Sequence, residues 1–85
     1  MSKYDEALEI VCHASRMKMT LNSHKGAIEG IPPEVAIKLL KKELTELEDA
    51  LKDNNHEEVI IEAGDVLNFL TSLVYNSIDG YRKRK

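Results

Sequence analysis

The sequence contains few of the residues that cross-link, interrupt or anchor a chain: one cysteine, two prolines, four glycines and no tryptophan among 85 residues. The single Cys12 cannot close an intramolecular disulfide. No apolar run approaches the roughly 20 residues needed to cross a bilayer, and the first residues do not resemble a secretory signal segment. We therefore expect a cytoplasmic protein with no membrane partner.

The sequence also lacks an even distribution of charge, because the two signs are concentrated in different segments. The net charge is -3, acids are concentrated between residues 43 and 62, and bases are concentrated in the last four residues. Without a broad basic face, binding to duplex nucleic acid is not expected. Residues 1–85 are predicted to form one domain, of which residues 81–85 are a frayed basic tail.

Three segments have apolar residues at spacings of three and four, and none alternates with period two. They predict helices at about residues 3–19, 33–52 and 56–78. The corner from Gly30 to Pro33 begins the second helix, since proline is tolerated in a first turn. Asn55, followed three residues later by Glu58, predicts a capping box at the start of the third. The predicted fold is all-α, an N-terminal helix plus a helical hairpin.

Two pairs of acids interrupt the apolar pattern of the hairpin. Glu43 and Glu46 lie one position away from the stripe of the second helix, and Glu62 and Asp65 have the same offset on the third. The two stripes are Ile37, Leu40, Leu44, Leu47, Leu51 and Val59, Ala63, Val66, Leu70, Leu73. Because a short turn makes the helices antiparallel neighbours, the four carboxylates are predicted to converge.

Four converging carboxylates need a cation, because burying bare charge is costly and like charges repel. Oxygen ligands favour Mg²⁺ or Mn²⁺. The alternative is a solvated helix face on which Glu43, Glu46 or Glu48 pairs with Lys42 or Lys52. Asp65 favours the metal site, because aspartate is a poor helix former inside an apolar helix.

The spacing Glu43-x-x-Glu46, then fifteen residues, then Glu62-x-x-Asp65 resembles the signature of the MazG-like all-α nucleoside triphosphate pyrophosphohydrolases, which are related to the dimeric dUTP pyrophosphatases. The resemblance implies cleavage of an NTP or dNTP between the α and β phosphates, giving a monophosphate and pyrophosphate. It also implies that these four acids are catalytic residues that hold Mg²⁺. The match covers the second and third helices.

The resemblance has two departures. The family motif often begins with a Glu-Glu pair, whereas Lys42 precedes Glu43 here. The family core usually has a fourth helix, so one wall of the pocket is expected either to be missing or to come from another subunit, which favours an oligomer.

Four further residues are candidate substrate contacts. Lys25 would bind phosphate and His24 would contact the base, with Asn22 in the same segment, which also resembles family members. Asn68, one turn beyond Asp65, would hydrogen-bond substrate or a ligand carboxylate. Solvated loop positions for Lys25 and His24, and helix capping by Asn68, are the alternatives.

A domain of this size buries a marginal core, so we expect a homodimer or a homotetramer. Its interface is predicted on the third helix and part of the first, where apolar residues exceed the stripe that one hairpin needs: Ile60, Ile61, Leu67, Phe69 and Val74. Two alternative functions stay open, a metal- or nucleotide-binding regulatory module with little turnover and a purely structural oligomerisation protein.

Overall fold

Three α-helices and no strand make up the part of the chain that the structure describes. This computed structural model describes residues 2–21 and 31–83. Helix α1 spans Lys3–Leu21, α2 spans Pro33–Lys52 and α3 spans His56–Lys83. Within these ranges no helix combines the length and apolarity needed to span a membrane. The predicted all-α class, a helical hairpin with an N-terminal helix, is confirmed.

A three-residue turn reverses the chain between α2 and α3. Asn54 adopts a φ of 53°, and its N–H donates to the carbonyl of Leu51 at 3.2 Å. The Asn55 N–H donates to the carbonyl of Ala50 at 3.0 Å, which completes a Schellman closure of α2. Asn55 Oδ1 accepts a bond from the Glu58 N–H at 3.2 Å, as the sequence predicts for the start of α3. The reverse half of the capping box does not form, because the Asn55 N–H is already bonded to Ala50.

Helix α3 continues five residues beyond its predicted end. Gly80 lies inside the helix, and Lys83 Nζ is 3.1 Å from Asp79 Oδ2, one turn earlier. A glycine weakens a helix by about 1 kcal/mol relative to alanine, but it ends one only where the chain turns left-handed. Residues 81–83 are therefore helical where a frayed tail was predicted, and residues 84–85 lie outside the described ranges.

Helix α3 is central, since α1 and α2 each pack against it and, within the described ranges, do not contact each other. The turn makes α2 antiparallel to α3. Helix α1 runs parallel to α3, because residues 7–11 share a groove with residues 59–63, and Ser15 bonds to Asn68 further along both helices. The outer two helices can therefore both deliver side chains to one level of α3.

Small residues let the helices approach closely. Among the described residues, the buried side chains and glycine are Ser15, Ala36, Ala50, Gly64, Asn68 and Ser72. A Cβ built on Gly64 would lie 2.9 Å from the Ala14 Cβ, so α1 and α3 meet where only glycine fits. The buried Ser15 hydroxyl donates to Asn68 Oδ1 beside this contact. Together these contacts fix the position of α1 along α3.

The predicted apolar stripe of α2 coincides only in part with the side of α2 that is buried against α3. Ile37, Leu44 and Leu51 are exposed at 40%, 47% and 58%, and on α3 Leu70 is exposed as well. The side chains of α2 that turn inward instead recur at spacings of four and three: Ala36, Leu40, Glu43, Leu47 and Ala50. The small alanines allow close packing, which turns the larger leucines outward. Glu43 therefore lies within the α2–α3 contact, not beside it.

Replacing Gly64 by alanine is expected to destabilise the fold by about 1–3 kcal/mol, because the added methyl group overpacks the contact with Ala14. Gly80→Ala is the matched control on the same helix. Nothing lies within 4 Å of a Cβ at that position, so helix propensity should stabilise this variant by up to about 1 kcal/mol. Urea denaturation of both variants measures the effects, and equal shifts of the same sign would contradict the close contact.

Candidate metal centre

Three carboxylates converge between α2 and α3. One oxygen from each of Glu43, Glu62 and Asp65 lies within 4.8 Å of the other two. All three side chains are half-buried, and they come from two helices that the Asn54 turn holds side by side. The structure thus brings together three of the four acids that the sequence singles out.

Glu46 lies at the rim of this cluster, on the exposed side of α2. It is not one of the three mutually close acids, but its carboxylate is within hydrogen-bonding reach of Glu43 and Glu62. One side of the cluster is therefore closed by packed helices, and the side that carries Glu46 opens to solvent.

The acids strongly perturb one another's ionisation. Burial raises the pKa of Glu43 from 4.5 to about 8, and hydrogen bonding to Glu46 and Glu62 adds to the rise. Burial also raises the pKa of Glu62 and the pKa of Asp65. The pKa of Glu46 is lowered, chiefly because Glu46 accepts a hydrogen bond from Glu43. With no other cation present, the cluster holds a proton at neutral pH, and Glu43 is its preferred position.

Two buried carboxylate oxygens of the cluster have no hydrogen-bond donor in the described part of the protein. Glu43 Oε2 and Glu62 Oε2 are buried and receive no hydrogen bond from a donor. A carboxylate oxygen can only accept, so these atoms need a proton or a cation. Three oxygen ligands at one point, with an open side for water, fit a hard divalent cation such as Mg²⁺ or Mn²⁺. These residues are therefore suited to hold the predicted metal.

Lys18 of α1 also reaches the cluster, although it is not among the candidate site residues that the sequence predicts. Its Nζ is 3.8 Å from Asp65 Oδ2. The signal was present, since Lys18 continues the inner side of α1 that Val11 and Ala14 define at spacings of three and four. A base that extends an apolar face indicates a buried or half-buried partner.

The remaining predicted site residues fall into two groups. Asn22, His24 and Lys25 lie outside the described residues. Asn68 is buried between α1 and α3, where its Oδ1 accepts the bond from Ser15, so one of its polar atoms serves helix packing. A substrate contact for Asn68 stays a prediction.

The alternative of a solvated acidic face applies to one neighbour of the cluster. On the exposed side of α2, Glu48 Oε1 lies 3.6 Å from Lys52 Nζ. Glu43 instead lies among other acids, and Lys42 is exposed beside the cluster.

Comparison with known proteins gives a family for this architecture. Residues 22–82 match the family described as phosphoribosyl-ATP pyrophosphohydrolase, so the match includes all of α2, nearly all of α3 and the four acids of the predicted signature. No curated protein and no solved structure matches the chain significantly. Because the family match covers well over half of the sequence, the chain belongs to the phosphoribosyl-ATP pyrophosphohydrolase family, within the MazG-like all-α nucleotide pyrophosphohydrolases.

Proposed function

We propose that the protein is a Mg²⁺-dependent nucleotide pyrophosphohydrolase. It adds water across the bond between the α and β phosphates of an NTP or dNTP, which releases the monophosphate and pyrophosphate. The convergence of Glu43, Glu62 and Asp65, with two buried oxygens that no donor satisfies, is the observation that carries the proposal. Membership of a pyrophosphohydrolase family supports it. We place the activity in the cytoplasm, where the lone Cys12 would stay reduced.

The four acids have different proposed roles, which follow from their positions in the cluster. Glu43, Glu62 and Asp65 would hold Mg²⁺, or Mn²⁺ in its place, and Glu46 would complete the ligand set from the open rim. A cation held there would neutralise phosphate charge and lower the pKa of a bound water. Glu46 is exposed and has a lowered pKa, so it is ionised at neutral pH and can accept a hydrogen bond from the attacking water. The packed helices exclude solvent from the opposite side.

The segment before α2 would bind the rest of the nucleotide. Lys25 is the proposed phosphate contact, His24 the proposed base contact, and Asn22 lies in the same segment within the family match. Asn68 would add a polar contact one turn beyond Asp65.

A second candidate substrate is phosphoribosyl-ATP, because the matching family bears its name. It has the same triphosphate chain as ATP, so the same metal centre would serve both. The two differ in the space that is needed around the adenine ring.

A screen for pyrophosphate release tests the proposal. The protein is incubated with each standard NTP and dNTP and with phosphoribosyl-ATP, in millimolar Mg²⁺ or in EDTA. We expect equal amounts of monophosphate and pyrophosphate from at least one substrate with Mg²⁺, and neither product with EDTA. A protein that binds Mg²⁺ and nucleotide but releases no pyrophosphate would be the non-catalytic binding module, for which Lys42 beside Glu43 is the motivating feature.

The functional unit is proposed to be a homodimer or a homotetramer built through α1 and α3. An apolar groove lies between these helices and is lined by Ala7, Leu8, Ile10, Val11, Val59, Ile60 and Ala63. Ile60, Ile61 and Val74 are 42%, 38% and 56% exposed, which leaves apolar surface that a second copy would remove from water.

Replacing Ile60 by aspartate is expected to convert the oligomer to a monomer at micromolar concentration, because it places a charge in the groove. Tyr4→Asp is the control, since Tyr4 is 87% exposed at the start of α1 and does not line the groove. Sedimentation equilibrium measures both variants. A stably folded wild-type monomer would contradict the proposed assembly.

A further inference from the structure

Lys18 reaches the acid cluster from a third helix, and packing elsewhere fixes its position. The Ser15–Asn68 bond and the tight contact at Gly64 hold α1 against α3 within one turn of Lys18. Helix side chains lean toward the N-terminus, so Lys18 reaches back along the parallel α3 to Asp65. This placement differs from that of Lys52 and Lys83, which pair with acids of their own helix one turn away.

The ammonium of Lys18 lies toward the open rim of the cluster. Its positive charge opposes the rise in the pKa of Asp65 on α3 and, together with Lys42, contributes to the lowered pKa of Glu46 on α2. Its side chain is 37% exposed, whereas the Asp65 side chain is 17% exposed. Lys18 of α1 and Lys42 of α2 are therefore both cations near the rim where a nucleotide would enter, and of the two Lys18 also contacts Asp65.

The contact with Asp65 is loose. At 3.8 Å the Nζ–Oδ2 distance is longer than a charge-assisted hydrogen bond, which is about 2.7–2.9 Å. Lysine has a flexible four-carbon stem and three donors, so its ammonium can turn from one oxygen to another at little cost. An Asp65 charge that is balanced by a divalent cation would attract Lys18 less, and a phosphate at the rim would attract it more.

We propose that Lys18 is a phosphate-binding residue of this site, which binds a triphosphate oxygen when nucleotide is present and rests against Asp65 when it is absent. The inference rests on the proposed function and adds a substrate contact to it. Lys18 precedes residues 22–82, so the family match does not assign it a role.

Binding of Mg²⁺ alone and of Mg²⁺-tripolyphosphate, measured by calorimetry, tests this role without turnover. Lys18→Met is expected to weaken tripolyphosphate binding about tenfold or more, because one charge-assisted bond is lost. Binding of Mg²⁺ alone should stay equal or become tighter, because a positive charge near the cation is removed. Lys18→Arg should keep most of the tripolyphosphate affinity, and Lys52→Met, the control in an exposed ion pair, should change neither constant.

Two outcomes would overturn the inference. Tripolyphosphate affinity equal to wild type in Lys18→Met would show that Lys18 does not contact phosphate. Parallel losses of Mg²⁺ affinity, tripolyphosphate affinity and melting temperature would show that Lys18 only supports Asp65. Neither result depends on hydrolysis, so a failure of the proposed function, seen as no pyrophosphate release by wild type, is recorded separately.

Discussion

Replacing Asp65 by asparagine is expected to reduce pyrophosphate release more than about 100-fold and to leave the protein folded. Asp65 supplies one of the three converging oxygens, and losing even an outer partner of a metal ligand typically costs about 10–100-fold. Thermal melts in EDTA and in millimolar Mg²⁺ accompany the assay. Wild type should gain about 2.7 kcal/mol when Mg²⁺ is at a hundredfold excess over its Kd, and Asp65→Asn should gain less than about 1 kcal/mol.

The metal-free melt separates a binding site from a structural ion pair. Asp65 does contact Lys18, so losing its charge would destabilise the fold if that pair dominated. Burial outweighs the attraction of Lys18, however, and with the repulsion of Glu46 and Glu58 it raises the pKa of Asp65. A group whose environment disfavours its charge should not destabilise the fold when it is neutralised. We therefore expect Asp65→Asn in EDTA to melt at or above the wild-type temperature.

Asp79→Asn is the matched control for these measurements. Asp79 is an exposed aspartate of the same helix, and it pairs with Lys83 one turn away. Its replacement should change neither turnover nor the response to Mg²⁺. An Asp65→Asn protein with wild-type turnover and a wild-type Mg²⁺ response would show that the acid cluster is not the reaction centre.

Local features of the sequence predict the hairpin and its acids well. Asn55 caps α3 through its own side chain, and the helical period places Glu43 and Glu62 on facing sides of neighbouring helices. Both the cap and the facing positions of the acids are determined by residues that are close together in the sequence. The three-residue turn then leaves little freedom in how α2 and α3 align.

Features that depend on close approach between helices were not predicted. The spacing of large apolar residues favours Leu44 as an inward side chain, whereas the buried side chains of α2 are Ala36 and Ala50. Whether Lys18 reaches the acid cluster depends on the position of α1 along α3. The close contact between Ala14 and Gly64 fixes that position. A hydrophobic period identifies the apolar face of a helix. It gives neither how deeply that face is buried nor how the helix is aligned with its neighbour.

The ionisation of the cluster leads to a second large effect, on stability. In EDTA, the free energy of unfolding is expected to fall by about 2 kcal/mol between pH 5 and pH 8. Burial raises the pKa of Glu43 from 4.5 to about 8, so the folded protein keeps a proton that the unfolded chain has already lost. Stability from this group is complete below about pH 4.5 and is lost as the pH rises to about 8. The full shift in the pKa of Glu43 would correspond to a larger change in the free energy of unfolding. The cluster opens to water at Glu46, however, and solvent screening reduces that change.

Glu43→Gln tests the origin of this pH dependence, because the amide keeps the shape of the side chain and cannot titrate. The variant should be more stable than wild type in EDTA at pH 8, with a flatter profile from pH 5 to pH 8. Some slope should remain, since the pKa values of Glu62 and Asp65 are also raised by burial.

Saturating Mg²⁺ should flatten the wild-type profile in the same way, because a cation then balances the charge that the proton balanced. Glu48→Gln, at an exposed position of the same helix, should leave the wild-type profile unchanged. A wild-type melting temperature that rises from pH 5 to pH 8 in EDTA would mean that the carboxylates do not repel one another in the folded protein, and the case for a cation between α2 and α3 would fail with it.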